Sequence, residues 1–304
     1  MTNPNFSTVE KILLNKFKKG ESFVYKSNKH TIIESGKPSP SIGGCKTDLY
    51  LKTKYSNNET FEFKISLKLD NAEFIENKTS LERAKQILGP NASQIIYDAT
   101  KSIKSKFENV PLIVHKKDLT YTLMMGWKFE IFHNTTRKLR VQPNLTSTQV
   151  EEILSGKNVD NDKKNSKVNQ VRISNSGIAN IFLEISSDLV SVNNMTLQKI
   201  VKGFESISSA ANRMNINFGF TALNYRSDKN KWDGNRPLAV CVDWTITNDR
   251  LSGALNFDLP LTKKGDDIGE LLRDHLETLE MKQTINESDF RNYFTNQDRI
   301  KSIK

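Results

Sequence analysis

Between residues 61 and 69 apolar and polar side chains alternate without a break. Phe61, Phe63, Ile65, Leu67 and Leu69 occupy the odd positions, and Glu62, Lys64, Ser66 and Lys68 the even ones. A period of two marks a half-buried strand, so the even residues share one face. Asp48–Tyr55 reads as its partner, joined through Ser56-Asn57-Asn58-Glu59, residue types that tolerate turn geometry. Upstream, Val9, Ile12, Leu13 and Phe17 fall at helical spacing. With Ser7 as cap and Glu10 three residues later, they predict a helix from Ser7 to Lys19, ended by Gly20.

Short strands are expected at Ser22–Lys26 and Thr31–Glu34, then a Gly- and Pro-rich loop opening at Gly36. Glu73–Asn77, Ser80–Leu88, Ser93–Phe107 and Ser147–Leu154 read as helices. Leu112–His115, Thr120–Met125, Lys128–Phe132 and Lys138–Val141 read as strands. Residues 157–168 are polar and aperiodic, a linker or mobile loop on composition. Beyond them strands are expected at Gln170–Ile173, Ile178–Ile185, Phe218–Tyr225, Leu238–Ile246 and Ala254–Leu259. Helices are expected at Leu197–Met214, Asp267–Met281 and Asp289–Phe294. The interspersed pattern predicts an α/β chain with a mixed sheet flanked by helices over residues 1–156, and a C-terminal α+β part over 169–304.

Composition narrows the chemistry. The 304 residues hold two cysteines, Cys45 and Cys241, far apart, and four histidines without ligand spacing. A zinc site or disulfide framework is therefore not expected, and a reducing cytoplasm is the default. No apolar run approaches the roughly 20 residues of a membrane span. The N-terminus lacks the basic-then-apolar order of a secretory signal. Net charge is +10, and residues 1–150 hold 24 Lys and Arg against 14 Asp and Glu, while the remainder balances. A basic half suits a polyanion such as DNA; Lys-rich composition for solubility explains the same surplus.

An Asp opening one strand and lysines along the next resembles the PD-(D/E)xK nuclease superfamily. The resemblance spans roughly residues 7–140 and implies a restriction-endonuclease-like core. Two segments compete for the second half of its motif, Glu62-Phe63-Lys64, which fits the pattern, and Ser66-Leu67-Lys68, which lacks the acid. A turn near Asn57-Asn58 puts Asp48 opposite Ser66 or Lys68 and Glu62 opposite Lys52 or Lys54. Asp48 and Glu62 are then separated by about 13–20 Å, too far for one metal ion. The expected catalytic set is therefore Asp48, Ser66 and Lys68, with Ser66 in place of the usual acid and Thr47 in place of the usual Pro. Asp48 would ligate Mg²⁺ (or Mn²⁺), and Lys68 would orient the attacking water. The resemblance implies the Leu67 carbonyl as a second ligand. Glu34 is the first candidate for the missing carboxylate, with Glu10, Glu73 and Glu76 behind it.

Lys116, Lys117, Arg137 and Arg140 are candidates for tracking phosphates, and Asn224, Arg226 and Arg236 for reading base edges. Solvated strand ends and an Asp233-Gly234 hairpin turn account for the same residues without nucleic acid. The function expected is a Mg²⁺-dependent DNA endonuclease, of type II restriction-like or phage type, acting as a homodimer on both strands. A non-catalytic nucleic-acid-binding protein that keeps the fold is the alternative, and a structural protein with incidental charge is a third.

Overall fold

The computed structural model describes residues 4–76, 79–133 and 137–303. The chain divides into two compact units, both discontinuous in sequence. Residues 1–73, 86–89 and 144–214 form the first; residues 74–85, 90–143 and 215–304 form the second. The division expected around 157–168 does not match these units: the chain leaves the first unit after residue 73, rejoins it for residues 86–89 and returns to it at 144.

The first unit opens with helix α1, Pro4–Lys16, followed by β1 (Ser22–Tyr25), β2 (Asn28–Gly36), β3 (Leu49–Lys54) and β4 (Thr60–Leu69). The helix starts three residues ahead of Ser7, since proline fits a first helical position whose N–H needs no partner. Strands β1 to β4 are successive antiparallel neighbours. Ile181–Ile185 then adds parallel to β4, and Glu205–Ser206 closes the six-stranded sheet. Leu49 pairs with Ile65 and Lys52 with Glu62. One face of the sheet buries Leu49, Leu51, Phe63, Ile65, Leu67, Ile181 and Leu183 against Val9, Leu13 and Phe17 of α1. Each such side chain contributes about 1.5–3 kcal/mol when fully buried. Where backbone pairing between β4 and the parallel strand stops, Asn180 continues it. Its Oδ1 accepts the Lys64 N–H and its Nδ2 donates to the Glu62 carbonyl, both at 2.8 Å.

The segment 157–168 is part of this unit rather than a linker. Val159 and Val168 are buried, and the Asp160 carboxylate caps a helical turn at Asn161–Lys164. A tight hairpin then pairs Lys167–Val168 with Val171–Arg172. Its corner residues Asn169 and Gln170 both have positive φ, 49° and 71°. The helix expected over Leu197–Met214 is two short helices, Leu197–Val201 and Ile207–Arg213. Between them Glu205–Ser206 pairs with the parallel strand, and Ser206 caps the second helix.

The second unit is built on a nine-stranded sheet centred on Tyr121–His133, which pairs with Ile216–Arg226 on one side and Leu238–Thr247 on the other. Gly126 lets a single strand run where two were expected. Its φ is +149°, and a Cβ there would lie 2.4 Å from the Val240 carbonyl oxygen. The helix expected at Glu73–Asn77 is a strand, Phe74–Glu76, paired with Phe132 and Ile131; Asn77 lies outside the described residues. The last hairpin strand is Arg250–Asn256, four residues before its expected start. Asn248 and Asp249, both at positive φ, make the turn.

Counted by unit, the charge asymmetry disappears. The first unit holds 20 Lys and Arg against 15 Asp and Glu, the second 25 against 20, a net +5 each. Among the described residues no helix is long and apolar enough to cross a membrane.

Candidate active site

Asp48 stands one residue ahead of β3, at the end of the sheet where β2 finishes. Its N–H donates to the Ile65 carbonyl at 2.8 Å, and its Oδ2 accepts the Leu67 N–H at 2.7 Å. The carboxylate is therefore fixed against Ser66-Leu67-Lys68, in the register that pairs Lys52 with Glu62. Burial drives the Asp48 carboxyl up to about 6. The Leu67 N–H and the Lys68 and Lys37 charges oppose this, while Glu10 adds to it. Ser66 is buried beside the carboxylate-bonded Leu67, and Lys68 is half-buried.

The approach to Asp48 is as tightly built. The Lys46 and Thr47 N–H groups both donate to the Gly177 carbonyl, at 3.2 and 3.3 Å. A Cβ on Gly177 would sit 1.8 Å from the Lys163 carbonyl oxygen and 2.9 Å from the Cys45 Cβ. Burial pushes the Cys45 thiol up, and the Asp48 charge acts in the same direction.

Glu34 does not join Asp48. It pairs with Lys52, four positions along β3, or about 13 Å at strand rise. It belongs to a different polar group, where the Tyr50 hydroxyl donates to Glu62 at 2.7 Å. Burial first, then Glu62 and Glu34, raises the Tyr50 phenol; burial lowers Lys64. Glu76 is occupied by Arg83 at 2.8 Å and lies in the second unit.

The carboxylate whose charge reaches Asp48 is Glu10 of α1. It is buried, paired with Lys37 at 2.7 Å, and its Oε1 has no hydrogen-bond donor in good geometry. One sequence signal marks it. Glu10, Leu13, Leu14 and Phe17 follow i, i+3, i+4, i+7, so an acid occupies a core-facing position of an amphipathic helix.

Asp48 and Glu10 are the carboxylates that could hold a hard divalent ion, since Mg²⁺ is commonly held by one or two carboxylates, with water and substrate oxygens completing its shell. Among the described residues, no cluster of three or more His, Cys, Asp or Glu converges to complete such a shell from protein alone. The Lys37 ammonium already places a positive charge against Glu10.

The residues expected to contact nucleic acid are scattered over the second unit. Arg226 is bidentate to Asp233, at 2.6 and 3.1 Å, and Asn224 bonds the same carboxylate through its backbone and side chain. Both hold the hairpin rather than present free base-reading groups. Arg137 donates to Thr221 at 2.8 Å and lies over the Phe132 ring. Arg140 donates to the Arg137 carbonyl at 2.6 Å. Lys117 and Arg236 are exposed, and Lys116 is half-buried at the turn before Tyr121. Arg140 pairs opposite Gly219, seven residues along the strand from Arg226, so about 23 Å separates these two positions. No known protein family, curated protein or solved structure matches the chain.

Proposed function

We propose that the protein is a metal-dependent endonuclease that hydrolyses phosphodiester bonds in DNA, with Asp48, Glu10 and Lys68 at the reacting centre. The observation that carries this reading is the 2.7 Å bond from the Leu67 N–H to Asp48, which sets an acid beside a lysine two residues beyond Ser66. The mixed sheet with α1 on one face is in keeping with the resemblance to PD-(D/E)xK nucleases.

Each side chain has a separable task. Asp48 and Glu10 would hold Mg²⁺, or Mn²⁺, and the Leu67 carbonyl is a further oxygen ligand on the resemblance. Held there, such an ion would supply Lewis acidity toward the phosphate and toward a water molecule. The Leu67 N–H restricts which Asp48 oxygen is free to bind. Lys68 orients the attacking water and balances the charge that accumulates on the phosphoryl oxygens. Ser66 offers a hydroxyl where the motif carries an acid, which leaves Glu10 to supply the second carboxylate. Cutting both strands of a duplex is most simply done by two copies of the site, hence a homodimer.

The second reading is a protein that binds nucleic acid without cutting it. The Lys37–Glu10 pair favours it, because an ammonium already neutralises the second carboxylate. Supercoiled plasmid incubated with Mg²⁺ or Mn²⁺ separates the two. Nicking by the wild type, abolished in Asp48→Asn and in Lys68→Ala with DNA binding retained, is expected. Binding without nicking under every metal would leave the second reading, and unchanged nicking by both variants would remove this site.

A further inference from the structure

We infer that the cleft between the β2–β3 loop and the 167–172 hairpin is a seat for one phosphate of the DNA backbone, other than the phosphate attacked at Asp48. This inference rests on the nuclease reading and names how its substrate is held.

The cleft is part of the first unit and encloses about 330 Å³, with Ser39, Ser41, Asp162, Asn165, Lys167 and Arg172 in its lining. Backbone bonds tie its walls together. Ser39 N–H donates to the Lys167 carbonyl at 2.9 Å, and Lys167 N–H returns to Ser39 at 3.2 Å. Across it, Asp162 accepts from the Ser41 N–H at 2.7 Å and from its hydroxyl at 2.9 Å. These two donors hold the Asp162 carboxyl below its usual range, so it is ionised at neutral pH and serves as an internal anchor. Arg172 approaches the same carboxylate at 3.8 Å, with its side chain 58% exposed. A contact that long orients the guanidinium and leaves most of its five donors for a ligand.

The lining carries two cations against one satisfied acid, plus hydroxyl and amide donors. That combination suits a monoanionic diester phosphate, which Arg binds with paired N–H donors. It does not suit a divalent metal, since only one carboxylate is present and it is already bonded. One wall of the cleft follows closely in sequence on Lys37, the partner of Glu10. Ser39 is two residues from Lys37, at most about 7 Å along the chain.

Fluorescence anisotropy of a labelled duplex titrated over a range of salt tests the seat, with Arg172→Ala and Lys167→Ala/Arg172→Ala compared with wild type. Loss of one phosphate contact should reduce the slope of log K against log salt by about 0.9. Affinity should fall about tenfold at moderate salt, with KM for cleavage raised and kcat unchanged. Inorganic phosphate should compete only weakly; competition as strong as an unlabelled duplex would assign the cleft to a small anion instead. Cleavage with unchanged slope and KM in both variants overturns the seat while leaving the nuclease reading intact. A wild type that binds but never cuts, with the slope still reduced in the variants, has the opposite meaning. Absence of any duplex binding overturns both.

Discussion

The Lys37 ammonium lies 2.7 Å from the buried carboxylate of Glu10, and the charge of that carboxylate reaches Asp48. A helix acid, a loop lysine and a strand acid therefore form one electrostatic unit at the end of the sheet. On the nuclease reading, Lys37 and a divalent ion would compete for Glu10.

Replacing Lys37 exposes this competition. Lys37→Met leaves Glu10 buried and unpaired, which should lower stability by about 1–3 kcal/mol, the lysine being half-exposed. Mn²⁺ should restore much of that loss and bind the variant more tightly than wild type. Urea denaturation with and without Mn²⁺ reads both effects.

Asp48 makes a prediction with a definite sign. Its folded-state value of about 6 exceeds the ordinary 3.8, so the folded protein holds this proton more tightly than the unfolded chain does. The contribution is favourable in full below pH 3.8 and is lost as pH rises through about 6. Asp48→Asn keeps an oxygen for the Leu67 N–H and removes the titration. Without metal at pH 7 the variant should be more stable than wild type by up to about 3 kcal/mol. Their difference should shrink toward pH 4. Urea midpoints across that range check it.

Gly177→Ala should damage the site without touching a charged group. Its Cβ would meet the Lys163 carbonyl oxygen at 1.8 Å, so the segment must move, and with it the two N–H bonds that lead into Asp48. A loss of about 2–4 kcal/mol and of metal binding is expected, in line with overpacking a closed site. Thermal denaturation together with Mn²⁺ titration measures the pair of effects.

Arg226→Ala should leave DNA affinity unchanged, because the guanidinium is committed to Asp233. The expected cost is about 0.5–1 kcal/mol, that of a partly exposed bidentate pair. A duplex titration that lost affinity in this variant would return Arg226 to the interface.

Much of the first unit was legible from periodicity. The alternation from Phe61 to Leu69, with the turn at Ser56–Asn58, narrowed the partner of Glu62 to Lys52 or Lys54 and brought Asp48 to the Ser66-Leu67-Lys68 segment; the fold selects Lys52. The acid partner was harder, because Glu34 is close to Asp48 in sequence while β2 carries it away, and Glu10 arrives from a helix. The passage into the second unit after residue 73 leaves no local mark, since short turns look alike whether or not they separate units. Helix over Leu197–Met214 was a natural reading of its apolar spacing, yet pairing of Glu205–Ser206 with Ile181–Phe182 outweighed local propensity. The basic surplus of residues 1–150 mixed residues of both units, so its apparent localisation came from chain order rather than from the fold.

The nuclease reading requires Glu10 and Asp48 together to hold one divalent ion. Titration of Mn²⁺ followed by electron paramagnetic resonance, on wild type, Asp48→Asn and Glu10→Gln, tests it most directly. One ion per chain in the wild type, lost in Asp48→Asn and weakened at least about tenfold in Glu10→Gln, is the predicted result. Equal binding by all three proteins, or none by the wild type even with duplex DNA present, would contradict it.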